Sequence, residues 1–141
     1  MGSVDLEQLP ANALLLVDSA PIIYLLEANP KFAPRFESVF EAHARGMVRI
    51  AVTTITVAEV LVGPLQAGDE ALLRRYRAML GSWQVVPLDV DIAEAAARLR
   101  ASLRLRLADA IQVASALTIN AVALVTHDRD FSRVRALPII S

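Results

Sequence analysis

Apolar residues along the chain fall into short blocks in which two rhythms alternate. Ala13 to Val17 is uninterrupted apolar sequence that stops at Asp18, the pattern of a strand covered on both faces. Ser19 and Pro21 follow. Proline fits the first turn of a helix, so a helix is predicted from about Pro21 to Ala28, closed by Asn29-Pro30. From Lys31 to Arg45, Phe32, Phe36, Val39, Phe40 and His43 recur at helical spacing, and Gly46 ends that helix. Val48, Ile50 and Val52 alternate with Arg49 and Ala51 in a second strand, Met47 to Thr53. Thr54 or Thr56 caps the next helix, which carries Val57, Val60 and Leu61 and is expected to end near Gly63-Pro64.

The second half continues the alternation. A helix capped by Asp69 is predicted over Gly68 to Leu80. Trp83 to Leu88 reads as a third strand, and Pro87 argues for an edge or a strand end. Two Ala-rich helices follow, Asp91 to Leu103 with Asp91 as its cap, and Leu107 to Ile119. Ala121 to Val125 is a fourth strand and Pro138 to Ile140 a last short one. Strands alternating with helices define the α/β class and a mostly parallel sheet. Residues 1 to 141 form one domain, with residues 1 to 12 expected to be a loosely held lead-in.

Composition narrows the chemistry. The chain is 55% hydrophobic and 21% charged, enough apolar sequence to fold and too much for disorder. Fourteen basic residues against fifteen acidic ones give a net charge of −1, which excludes a globally basic nucleic-acid clamp but not a local patch. The chain has no cysteine, so thiol nucleophiles, thiolate zinc sites and iron–sulfur clusters are out. No apolar run approaches the roughly 20 residues of a membrane span. The first nine residues hold Asp5 and Glu7 without Lys or Arg, unlike a signal peptide. A cytoplasmic protein without membrane contact is expected.

Ligands of parallel sheets bind beyond the carboxyl ends of the strands. Asp18 ends the first strand and Asp128 follows the fourth, while Glu59 and Asp109 lie near the starts of helices that face the same edge. Each acid has a plain structural reading. Asp18 suits a helix cap, Glu59 an exposed helical position, Asp109 a first-turn acid, and Asp128 with Asp130 a turn. Their coincidence on one edge is what points to function. Carboxylates so grouped raise one another's pKa unless a cation compensates. Mg²⁺ or Mn²⁺ accepts hard oxygen ligands alone and suits phosphate chemistry.

Four segments in order carry a family resemblance: Leu-Val-Asp18-Ser-Ala-Pro-Ile-Ile-Tyr-Leu-Leu-Glu27, Thr-Ile-Thr-Val-Ala-Glu59-Val-Leu-Val-Gly-Pro, Leu-Ala-Asp109-Ala-Ile-Gln-Val-Ala-Ser-Ala-Leu and Thr-His-Asp128-Arg-Asp130-Phe. From about residue 14 to 132 the chain resembles PIN-domain ribonucleases, specifically the VapC-like toxins of bacterial toxin–antitoxin pairs. The resemblance implies a three-layer α/β/α sandwich and Mg²⁺- or Mn²⁺-dependent endonucleolytic cleavage of RNA. A metal-activated water would attack the phosphodiester in line and leave a 5′-phosphate and a 3′-hydroxyl. It assigns Asp18, Glu59 and Asp109 as metal-site acids and Asp128 as the more variable fourth, with Thr126 or Ser19 as polar support. Asp130 matches the pattern's second Asp, where a structural cap and a ligand are both open. A homodimer and a small antitoxin partner are further implications. The Phe32, Phe36 and Phe40 helix is a candidate antitoxin groove, with core packing the better reading for at least part of that face. Arg104, Arg106, Arg129 and Arg133 are candidate flanks for RNA. His127 is read as a solvent-exposed residue, with a phosphate or base contact as the alternative.

Three rival readings stand beside this one. Asp89-Val90-Asp91 after an apolar strand resembles the start of haloacid-dehalogenase-type phosphatases, but Ile92 occupies the position of a hydroxyl residue and no Lys follows. A receiver-type Mg²⁺-binding signalling domain would need a paired-acid start and a late Lys, and the one Lys here is Lys31. A non-catalytic PIN-like binding module would not require all four acids.

Overall fold

A computed structural model describes residues 6–141. The strands are β1 (Ala13–Val17), β2 (Val48–Thr53), β3 (Gln84–Val86), β4 (Ala123–Val125) and β5 (Ile139–Ile140). The helices are α1 (Ser19–Leu26), α2 (Ala33–Ala44), α3 (Thr54–Gln66), α4 (Glu70–Gly81), α5 (Val90–Leu103) and α6 (Leu107–Thr118). All five strands are parallel and pair in the order β3-β2-β1-β4-β5. Successive strands step outward from β1 in one direction to β3, then in the other through β4 to β5. The reversal places a crevice between the carboxyl ends of β1 and β4, the position where open parallel sheets take ligands.

The alternation of side chains divides the core in two. Leu15, Val17, Ile50, Val52 and Val125 face a layer formed by α1 to α4, with Ile22, Phe36, Val39, Val60 and Leu80 packed on them. Leu14, Leu16, Ala51 and Leu124 face the opposite layer, where α5 and α6 supply Ile92, Ala96, Ala110, Val113 and Ala114. Both faces of the sheet are covered, which is why β1 is apolar at every position. The result is the three-layer α/β/α sandwich with a parallel sheet that the alternating pattern and the resemblance imply. Among the described residues no helix is long and apolar enough to cross a membrane.

Several local expectations are corrected. Helix α3 does not stop at Gly63-Pro64 but continues to Gln66 with Pro64 buried inside it. Pro64 forfeits the bond an amide there would give to the Val60 carbonyl, yet its burial keeps it in the helix, and the chain turns at Gly68, whose φ of 65° suits glycine. The cap of α3 is Thr53, whose hydroxyl accepts from the Thr56 amide at 3.1 Å, in place of Thr54 or Thr56. Asp89, not Asp91, caps α5, because it is the last extended residue and its carboxylate accepts from the Ile92 amide at 2.8 Å. Only β3's three residues of the Trp83 to Leu88 block pair, at the sheet edge as Pro87 suggests. Part of the expected lead-in, residues 1–5, lies outside the described residues. Leu6–Gln8 form a 3-10 turn, and Leu6 and Leu9 pack against the core. Of the aromatic residues around α2, Phe36 is buried, while Phe32 and Phe40 are half-buried.

Candidate active site

Asp18 caps α1 immediately after β1, and its amide donates to the Val125 carbonyl at 2.8 Å, tying it to the end of β4. Its carboxylate is held from three sides. Oδ1 accepts from the Ser19 amide at 2.9 Å and from Gln112 Nε2 at 2.7 Å, and Oδ2 accepts from the Thr126 hydroxyl at 2.8 Å. Thr126 is wholly buried, and its hydroxyl oxygen also accepts from the Asp128 amide at 3.0 Å. One threonine thereby fixes both the acid after β1 and the backbone of the acid after β4.

Gln112 is the hidden centre of this arrangement. It is 2% exposed and uses both ends of its amide. Nε2 donates to Asp18 and to the Thr56 hydroxyl at 2.8 Å, and Oε1 accepts from the Thr53 hydroxyl at 2.8 Å. The network joins α6 to the start of α3 and to β1. A buried amide so placed needs every partner it has.

Asp109, one turn before Gln112 on α6, is 7% exposed. Burial, then the charge of Asp128, raises its pKa, and Arg106 partly offsets both. Arg106 reaches across the cleft mouth, with Nε 3.2 Å from Asp109 Oδ2 and Nη2 2.6 Å from Asp128 Oδ2. Glu59 stands on the exposed side of α3. Partial burial first, then the negative charge of Asp18, raises its pKa.

These groups line one cleft of about 260 Å³, walled by Asp18, Ser19, Glu59, Arg106, Asp109 and Asp128 among others. Four acids from distant parts of the chain thus meet at the sheet's switch point. Within the cluster, and among the described residues, Asp109, Asp128 and Asp130 form a set of three whose oxygens lie within 4.8 Å of one another. Asp130 enters through a turn in which Asp128 Oδ1 accepts its amide at 2.8 Å. An all-carboxylate set of this kind fits a hard divalent cation.

Several candidate residues fall elsewhere, among them Arg129, which lines a neighbouring cavity, and Arg133, which donates to the Leu103 and Arg104 carbonyls. Arg104 is an exposed residue ending α5 and does not line the cleft. Thr126 lies beneath Asp18 instead of facing the cleft. Arg106 does line it, but its guanidinium is engaged by two of the acids. Asp89 caps α5 outside the cleft, away from any role as nucleophile. His127 is neither solvent-exposed nor free: its ring is half-buried among Tyr24, Phe32 and Phe36.

A parallel α/β sandwich with an acid cleft at its switch point defines the class. The PIN domain family model matches residues 15–137, and the chain belongs to that family. Among solved structures it is similar to a toxin–antitoxin complex from Klebsiella pneumoniae, with 26% identity over 90% of this chain and 96% of that chain and a TM-score of 0.74. It is similar also to VapBC-5 of Mycobacterium tuberculosis, with 26% identity over 91% and 98% and a TM-score of 0.58. VapC20 of Mycobacterium tuberculosis, a sarcin–ricin loop cleaving toxin, shares the fold at 15% identity over 84% and 92%, with a TM-score of 0.68. No curated protein matches the chain.

Proposed function

We propose that this chain is a divalent-metal-dependent endoribonuclease and the toxin of a toxin–antitoxin pair. The observation that carries the reading is the convergence of Asp18, Glu59, Asp109 and Asp128 on one cleft between the ends of β1 and β4. The carboxylate donor set fits Mg²⁺ or Mn²⁺, with Asp130 close enough to share in holding it. When bound, the cation supplies charge neutralisation at the phosphodiester and lowers the pKa of water for attack.

The protein's own groups do the rest. Asp18 is held rigid by Ser19, Gln112 and Thr126, so its oxygens need no search to reach the cleft. Burial and neighbouring negative charge raise the pKa of Glu59 and Asp109, and a bound cation would offset that repulsion. Arg106 lies at the mouth, where a guanidinium suits a phosphate oxygen. Water adds across the phosphorus–O3′ bond, leaving a 3′-hydroxyl and a 5′-phosphate.

A small antitoxin, a homodimeric state and a cytoplasmic setting belong to the same proposal. Support comes from the similarity to toxin–antitoxin complexes. Exposed apolar residues such as Val62 and Leu65 on α3 also suit protein contacts. The test is cleavage of a mixed single-stranded RNA by the purified chain and its Asp109→Asn variant, with Mg²⁺, Mn²⁺ or EDTA. The reading expects metal-dependent cutting that falls by orders of magnitude in the variant. Absence of cutting by the wild type in either metal would overturn it, as would cutting that survives both EDTA and the substitution.

A further inference from the structure

A second cavity of about 730 Å³ adjoins the acid cleft, and Asp128 is a wall of both. Its lining includes apolar Phe131, Val134 and Leu137, and it carries Arg35 from α2 and Arg129 from the turn after β4. Arg106 is occupied by Asp109 and Asp128. Arg35 and Arg129, by contrast, have no ion pair with an acid among the described residues. Two unpaired guanidinium groups beside apolar surface, next to a cleft for phosphodiesters, complement a phosphate and its base.

His127 explains how Arg35 is aimed. Its Nδ1 lies 2.8 Å from the Tyr24 hydroxyl and its Nε2 3.5 Å from Arg35 Nη1. Arginine has only donors, so Nε2 offers its lone pair to Arg35 and Nδ1 carries the proton given to Tyr24. Tyr24, Phe32 and Phe36 pack around the ring at centroid distances of 5.5, 4.7 and 5.9 Å. An imidazole that lines the cavity, packs against these rings and has both nitrogens engaged is suited to orient a neighbour.

We propose that this cavity is a nucleotide subsite in which Arg35 and Arg129 hold the RNA phosphate next to the scissile one and the base rests on the apolar lining, with His127 as the positioning residue for Arg35. The proposal rests on the ribonuclease reading for its ligand. Binding is measured with a fluorescein-labelled ten-nucleotide single-stranded RNA of mixed sequence and the Asp109→Asn protein, in Mg²⁺ across a salt series. Adding Arg35→Gln and Arg129→Gln together should weaken binding about tenfold or more. It should also reduce the slope of log affinity against log salt by about 0.7 per arginine. In the cleaving protein the same pair should raise KM more than it lowers kcat.

His127→Phe keeps a packed ring but removes the acceptor. It should weaken RNA binding several-fold when Arg35 is present and add nothing in the Arg35→Gln background, whereas His127→Gln restores part of the loss. Unchanged affinity and salt slope in the double Arg variant would overturn the subsite, as would failure of the Asp109→Asn protein to bind the RNA. An equal loss from His127→Phe with or without Arg35 would overturn the positioning role. The two readings fail separately. Arginine-dependent binding without cutting by the wild type removes the nuclease and keeps the subsite. Cutting indifferent to both arginines does the reverse.

Discussion

Replacing Gln112 with Leu tests whether the buried amide is what holds the site together. The substitution nearly conserves volume, so the cavity contribution to its cost is small. It deletes a charge-assisted bond to Asp18 of 2.7 Å and neutral bonds to Thr56 and Thr53, each of 2.8 Å. A hydrogen bond to a charged group contributes about 1.5–3 kcal/mol and each neutral one about 0.5–1.5 kcal/mol. The buried leucine returns about 1–2 kcal/mol of transfer free energy. The two threonines retain the Thr56 amide bond at 3.1 Å and a long hydroxyl contact at 3.5 Å. These terms centre on a net loss of about 3 kcal/mol, and with roughly 4 °C per kcal/mol for a chain of this size, Tm falls by about 12 °C. Urea unfolding in cation-free buffer measures it, with an unchanged m-value as the sign that the denatured state is not responsible. A loss below about 1 kcal/mol would refute the reasoning, because the three bonds would then contribute no more than one exposed contact. Gln112→Met, apolar and unbranched, should cost nearly as much as Leu if hydrogen bonding is the cause.

Arg104 ends α5 at φ 57°, where a side chain other than glycine is strained. Arg104→Gly should therefore raise stability by about 1 kcal/mol, read by thermal melting. A saturating concentration of Mn²⁺, about 100 times its dissociation constant, should stabilise the wild type by about 2.7 kcal/mol. The shift should be much smaller in Asp109→Asn, and equal Mn²⁺ shifts in both proteins would remove Asp109 from the cation's ligands.

Much of the fold was legible because burial on both faces leaves an unmistakable mark. Five consecutive apolar residues in β1 and the nearly apolar α6 have no solvent side to obscure them. Asp18, Glu59, Asp109 and Asp128 were legible as charges at strand ends or early in helices, where the parallel topology dictates convergence. Gln112 was not. A glutamine in an apolar helix has no periodicity of its own, and its partners lie 94, 59 and 56 residues away. A buried polar residue one turn after Asp109 was the available signal. The role of His127 was hidden for the same reason, since its meaning depends on Tyr24 and Arg35, 103 and 92 residues distant. Pro64 misled because tertiary packing overrides a proline's local cost: it is buried within α3, and the helix runs on to Gln66.

The acids of the cleft are compensated so differently that the same substitution should have opposite effects at two of them. Asp18 accepts three hydrogen bonds. In Asp18→Asn, an NH₂ replaces one of the accepting oxygens. If it faces Thr126, that hydroxyl loses its acceptor; if it faces Gln112 and the Ser19 amide, donors meet donors. Either arrangement costs about 1–2 kcal/mol. Asp109 instead has a raised pKa, caused by burial and then by the Asp128 charge. The folded protein therefore binds the Asp109 proton more tightly than the unfolded chain does. Stability is lost as pH rises from the unfolded value, about 3.9, through the folded one, and at neutral pH the ionised carboxylate is a net burden. Asp109→Asn relieves it. The exposed Arg106 gives up one weak pairing but keeps Asp128 at 2.6 Å. In cation-free buffer at pH 7, Asp109→Asn should melt above the wild type and Asp18→Asn below it. The Asp109→Asn advantage should vanish below about pH 3.5, where the aspartate is protonated in both states. An Asp109→Asn protein that melts below the wild type at pH 7 would mean that the Arg106 pairing outweighs burial and repulsion, contrary to the exposure of that arginine.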